Sequence, residues 1–222
     1  MIYTILLISA SLFVIPPLAV AFGRYRYLDV SSKILLIYLV ISLFAEIIGW
    51  YTLINRIQNH FIFNVFIPFE FLCLSYVYRL NVKTTEYRKV ITILACFIFL
   101  FQISSNLFYW ESFNRFNSVA NALPNLGLML FVILYFYELL RDQQIAKLSS
   151  LPLFWISAGL LLYVSISFFL YIFGEFVMFN SSKEFAKLTT FILSISNITF
   201  RTLLTIGLWF SKTPPQLSPS SK

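Results

Sequence analysis

The sequence predicts an all-α, polytopic membrane bundle of seven transmembrane helices, with the N-terminus outside and the C-terminus cytoplasmic. Three observations carry that expectation. First, of 222 residues 59% are apolar and only 11% are charged, with a mean hydropathy of +0.84. A soluble domain carries about a quarter charged residues, so a water-facing surface cannot be assembled from this complement. The 26 Phe and 13 Tyr residues also suit a lipid solvent better than a small soluble core. Second, apolar runs of span length recur along the chain. Third, the basic residues fall into alternate connections. An ordinary soluble enzyme, a disordered chain and a disulfide scaffold are thereby excluded. A β-barrel fails on pattern: Ile34-Leu35-Leu36-Ile37-Tyr38-Leu39-Val40-Ile41 is continuously apolar, whereas barrel strands alternate lipid-facing and lumen-facing residues. Backbone groups in lipid must then be satisfied within helices.

Crossing the ~30 Å hydrocarbon layer takes roughly 20 mainly apolar residues. Spans are expected at about 1–23, 34–54, 61–78, 90–110, 116–140, 148–174 and 188–210, forming one domain over 1–210. In the first, Ala19-Val20-Ala21 resembles a signal-peptide cleavage site. Yet no Lys or Arg precedes the apolar run, and Arg24 and Arg26 follow it, which is the pattern of a retained span with a cytoplasmic end. The first, fourth, fifth and sixth spans are free of charge over their main apolar run. The second carries Glu46, the third Glu70 and the seventh Arg201. In the seventh, Leu, Ile and Phe each favour insertion by roughly 0.3–0.6 kcal/mol, against ~3 kcal/mol for the arginine, so this helix is expected to lean on its neighbours. Pro16-Pro17, Pro68 and Pro124 are places where helices can kink. Residues 211–222, with three Pro and four Ser, read as a short disordered cytoplasmic tail.

Orientation follows from the connections. Arg24, Arg26, Lys33, Arg79, Lys83, Arg88, Lys89, Arg141, Lys147, Lys212 and Lys222 belong to one side. Arg56, Arg115, Lys183 and Lys187 belong to the other. The positive-inside bias places the first set in the cytoplasm. The sequence pI of 9.4 then reflects topology anchors beside anionic headgroups and implies no nucleic-acid partner.

Polar residues inside a bilayer are costly, and residues three, four or seven apart share a helical face. Ser42, Glu46 and Gly49 align on the second span, with Trp50 adjacent. Gln102, Ser105, Asn106 and Tyr109 align on the fourth, and Asn117, Asn121 and Asn125 on the fifth. Thr190, Ser194, Asn197, Arg201 and Thr205 align on the seventh. Four such stripes predict a polar interior, concentrated in the outer half. The candidate pocket residues are Glu46, Glu70, Gln102, Asn106, Asn121, Asn125, Asn197 and Arg201. Interhelical hydrogen bonding explains Ser, Thr and Asn equally well; for Glu46, Glu70 and Arg201 a functional role is favoured, because burying an ionisable group gives no packing advantage. The expected internal ion pair is Glu70 with Arg201, leaving Glu46 unpaired. His60 reads as an interfacial residue, and Cys73 and Cys96 as small apolar fillers with no disulfide.

Catalytic parts are scarce. One His and no HExxH exclude a histidine-based zinc protease site. No Asp lies in a span core, no Gly-rich phosphate loop is present, and the seventh span has no Lys for a retinal Schiff base. No cofactor, metal or catalytic residue is implied.

The stretch Asn59-His60-Phe61-Ile62-Phe63-Asn64-Val65-Phe66-Ile67-Pro68-Phe69-Glu70-Phe71, after a span carrying Glu46, resembles uncharacterised seven-helix inner-membrane proteins of bacteria. The resemblance implies a bacterial inner membrane and the helix count, and it brings no activity. Two function classes lead. One is a sensor or ligand-binding module with an outward pocket that signals to a separate cytoplasmic protein, similar in outline to bacterial seven-helix sensor modules. The other is a small-solute transporter, similar in outline to the small 3+1+3 sugar transporters; their Pro-Gln motif within a helix is missing here, since Pro-Gln occurs only at Pro215-Gln216. A non-catalytic scaffold subunit is the third.

Overall fold

The computed structural model describes residues 2–57, 59–108, 118–141, 148–174 and 182–211. These residues form helices α1 (Ile2–Leu12), α2 (Ile15–Gly23), α3 (Val30–Ile54), α4 (His60–Asn81), α5 (Thr85–Phe108), α6 (Ser118–Arg141), α7 (Pro152–Ile172) and α8 (Lys183–Phe210), with short 3-10 turns at Tyr25–Tyr27 and Leu148–Ser150. Of the disordered tail expected at 211–222, Ser211 is instead buried and hydrogen-bonded to Arg24 and Ser32; the rest lies outside the described residues. Six segments are long and apolar enough to cross a membrane: Leu6–Gly23, Val30–Ile54, Thr85–Ser105, Ser118–Arg141, Pro152–Ile172 and Glu184–Phe210. That is the make-up of a multi-pass membrane protein.

Helix α4 falls at the position of the third expected span. Its 22 residues reach roughly 33 Å, but Asn64, Glu70, Arg79 and Asn81 dilute its apolarity. Packing explains the tolerance. Helix α4 is covered by α3, α5 and α6, and its outward stripe, Val65, Phe69, Leu72 and Tyr76, is wholly apolar or aromatic. The polar residues Asn64, Glu70 and Ser75 are buried.

The first span is two helices. Pro16 and Pro17 lack the N–H groups that would donate to the Leu12 and Phe13 carbonyls, and their rings crowd those carbonyls. The chain responds at Phe13 and Val14. The Val14 N–H turns to the Ser11 carbonyl at 3.4 Å, which leaves the Ala10 carbonyl without its helical donor. Pro68 and Pro124, by contrast, sit inside continuous helices.

Sequential helices pack in order, and α8 closes the arrangement against α1, α2 and α7. The α7–α8 interface is the most extensive and depends on small residues. A Cβ on Gly159 would lie 2.9 Å from that of Leu203, and one on Gly207 would lie 2.7 Å from the Pro152 carbonyl and against Ile156. The buried interior includes Phe71, Tyr78, Phe131, Leu160, Phe200 and Leu204. Large apolar side chains such as Phe44, Ile47, Ile93, Phe97 and Leu100 face outward, the reverse of a soluble surface.

The end of the bundle bearing most of the basic residues is tied by polar contacts. Asp29 caps α3 by accepting from the Ser32 N–H at 3.1 Å, and Ser32 Oγ meets Ser211 Oγ at 2.8 Å just past α8. Arg24 donates to the Ser211 carbonyl at 3.1 Å and lies over the Trp209 ring. Glu138 on α6 accepts from the Lys83 and Thr84 N–H groups at 2.7 and 2.6 Å, which pins the α4–α5 turn. Asn81 donates to Ser31 Oγ at 2.7 Å, joining α4 to α3.

Candidate functional site

The opposite half of the bundle holds a cavity of about 160 Å³. Its polar lining comes from α3 (Tyr38, Ser42, Glu46), α4 (Glu70), α7 (Tyr163, Tyr171) and α8 (Asn197, Arg201), and it reaches Asn59 between α3 and α4. The stripe on α3 and the stripe on α8 therefore converge, as the spacing predicts. Of the eight expected pocket residues, Glu46, Glu70, Asn197 and Arg201 line this cavity.

Three of the others do not. Gln102, Asn121 and Asn125 are buried on α5 and α6 but are not among the lining residues. The Asn125 side chain donates to the Asn121 carbonyl at 3.0 Å, a bond within its own helix. The side-chain N and O of Gln102 and of Asn121 are buried without a partner among the described residues. The Asn106, Tyr109 and Asn117 side chains lie outside the described residues, as does that of His60.

The expected pairing of Glu70 with Arg201 is overturned. Arg201 pairs with Glu46, Nη2 to Oε1 at 2.9 Å. The cause is the break in the first span. Helix α8 packs on α1 and α2, which carries the guanidinium to the carbonyls at that break. Arg201 Nη1 donates to Ala10 O at 2.9 Å and Ser11 O at 3.3 Å. Its Nη2 also donates to Ser42 Oγ at 3.2 Å. The far oxygen of Glu46 accepts from Ser11 Oγ at 2.7 Å. The arginine, 5% exposed, is therefore satisfied by backbone and side-chain oxygens from α1 and α3.

Glu70 is held differently. It is 7% exposed, and its Oε1 accepts from the Tyr38 hydroxyl at 3.0 Å. No described residue donates to its Oε2, and no described cation lies within ion-pairing distance. Glu46 is seen from two sides. Besides the cavity, it lines an apolar groove of about 460 Å³ between the broken first span and α3, walled by Ile8, Leu12, Ile15, Leu43, Ile47 and Trp50.

The tyrosines escaped the sequence reading. Tyr38 stacks on Phe66 with ring centres 6.3 Å apart, and Tyr163 stacks on Phe200 at 5.4 Å. A tyrosine in an apolar run counts toward insertion, so composition hides its hydroxyl; Tyr38, four residues before Ser42 and eight before Glu46, was readable as part of that stripe. The arrangement, two carboxylates and one guanidinium around a small aromatic-walled cavity, can bind a small polar molecule. Among the described residues no group of His, Cys, Asp and Glu could hold a metal ion. Compared with family models, curated proteins and solved structures, the chain matches none.

Proposed function

We propose that this chain is an integral membrane sensor of seven spans, set in a bacterial inner membrane with its N-terminus outside. It holds a small polar ligand in the outward cavity and passes occupancy to a separate cytoplasmic protein. The observation that carries the reading is the cavity itself, with three ionisable side chains on its wall at mid-bundle. Such groups are expensive in a bilayer and repay their cost in binding rather than in packing. The route to the other end is α8. It contributes Leu193, Asn197 and Arg201 to the cavity, and its last turn enters the Arg24–Asp29–Ser32–Ser211 contacts. A shift of α8 at the cavity is thus felt beside the basic connections, where an acidic face of a signalling partner would dock.

The test begins with the cavity. In a chain carrying Cys73→Ala and Cys96→Ala, Ala45→Cys should react with a membrane-impermeant thiol reagent added to intact cells. An unreactive Cys at this position would remove the outward cavity.

A transporter is the second reading, favoured by the broken first span. Discontinuous helices whose freed carbonyls hold a charge beside a mid-membrane cavity are a transporter device, and the freed Ala10 carbonyl holds Arg201 in this way. Solute flux into proteoliposomes that Glu46→Gln abolishes would select it; binding without flux selects the sensor.

A further inference from the structure

The charges around the cavity do not balance, and the imbalance names a ligand class. Arg201 is committed to Glu46: its two terminal nitrogens already serve Ala10, Ser11, Ser42 and Glu46. It offers no free fork to an incoming carboxylate or phosphate. Glu70 has no such counter-charge. One oxygen is tied to Tyr38, the other accepts from no described residue, and Glu70 forms part of the cavity wall. With both acids ionised, one guanidinium against two carboxylates leaves the lining a single negative charge.

The remaining wall suits a positive guest. Tyr38, Phe66, Tyr163 and Tyr171 line the same cavity as Glu70. Two of these rings are fixed in place by stacking, Tyr38 on Phe66 and Tyr163 on Phe200. Aromatic faces attract a desolvated cation within about 6 Å by up to ~2 kcal/mol. At ~30 Å³ per water, a cavity of about 160 Å³ holds roughly five waters or one small organic molecule.

We infer that the cavity is a site for a small organic monocation, an alkylammonium of a few heavy atoms, whose ammonium group donates to the free oxygen of Glu70 while its carbon skeleton lies among the tyrosine and phenylalanine rings. The inference rests on the reading of the cavity as a ligand site and specifies its chemistry. The wall excludes anions, because the guanidinium that could greet them is already neutralised.

Purified full-length chain in lipid nanodiscs, titrated in turn with n-propylammonium, 1-propanol and propionate, tests this by thermal shift. Propylammonium is expected to raise Tm saturably, with a half-maximal concentration at least tenfold higher in Glu70→Gln. Tyr163→Ala should weaken it as well, and Glu184→Gln, at the start of α8, should leave it unchanged. Stabilisation by 1-propanol or propionate equal to that by propylammonium would overturn the assignment, and so would propylammonium binding that Glu70→Gln leaves intact. Silence from all three probes also overturns it. In that case thiol labelling at Ala45→Cys still reports whether the cavity exists, so the two failures are told apart.

Discussion

At the scale of single residues, Arg201 decides most. Its guanidinium bridges α1 and α3, beside the bond from Ser11 Oγ to Glu46, and every acceptor it uses is an oxygen of those two helices. Removing one partner of a buried pair costs about 3–5 kcal/mol, because the other charge is left uncompensated. Glu46→Gln should therefore lower the thermal stability of the purified chain sharply. Glu70→Gln, which keeps an acceptor for Tyr38 and strands no cation, should stay within about 1 kcal/mol of the native chain. The reverse ranking of the two variants would restore the Glu70–Arg201 pairing expected from sequence. Arg201→Lys belongs in the same series. One ammonium has three donors on a single atom and cannot serve carbonyls on α1 and a carboxylate on α3 together. It should lose about 2 kcal/mol, the scale of a hydrogen bond to a charged group.

At the scale of elements, the first span and the α7–α8 pair show how local sequence sets the site. Replacing Pro16 and Pro17 together by Ala restores two N–H donors and removes the ring clash. The helix should then run through, with the Val14 and Ile15 amides at least tenfold better protected in hydrogen exchange; unchanged exchange would mean that something other than proline breaks the span. Gly207→Ala should cost about 1–3 kcal/mol by overpacking, since its Cβ meets the Pro152 carbonyl and Ile156. Gly49→Ala meets nothing within 4 Å and should be neutral or gain up to ~1 kcal/mol of helix propensity. Equal stabilities for the two variants would refute the close α7–α8 contact. Element positions were legible because a hydropathy run is long; the ends were not, since α3, α7 and α8 start at Val30, Pro152 and Lys183 rather than at the expected 34, 148 and 188. The break at Phe13 was signalled only by Pro16-Pro17, without its place in space. Period and depth located Glu46, Glu70, Asn197 and Arg201 on inward faces, yet they could not say which neighbour Arg201 meets. Its strongest attractions include backbone carbonyls, and a bare carbonyl has no signature in a sequence.

At the scale of the whole molecule, one end is knitted and the other is hollow. Arg24, Asp29, Ser32 and Ser211 tie α2, α3 and α8 together at the end where the basic connections collect. The cavity lies toward the end where α3 finishes and α4 begins. The compartment that supplies the ligand is therefore decided by orientation, and orientation by charge. Among the described residues eight basic ones flank the knitted end, from Arg24 to Arg141, against Arg56, Lys183 and Lys187 at the hollow end. Juxtamembrane Lys and Arg are each worth about 1 kcal/mol at an anionic leaflet, so turning the bundle over would cost several kcal/mol. In the cysteine-free chain, Asn55→Cys, at the hollow end, should label in intact cells. Lys89→Cys, near the start of α5, should label only after permeabilisation. The opposite pattern would turn the cavity to the cytoplasm, and its guest would then be a cytoplasmic amine rather than an external one. Because Asn55 and Lys89 are both exposed, the contrast between them reads the side of the membrane and not the depth of the residue.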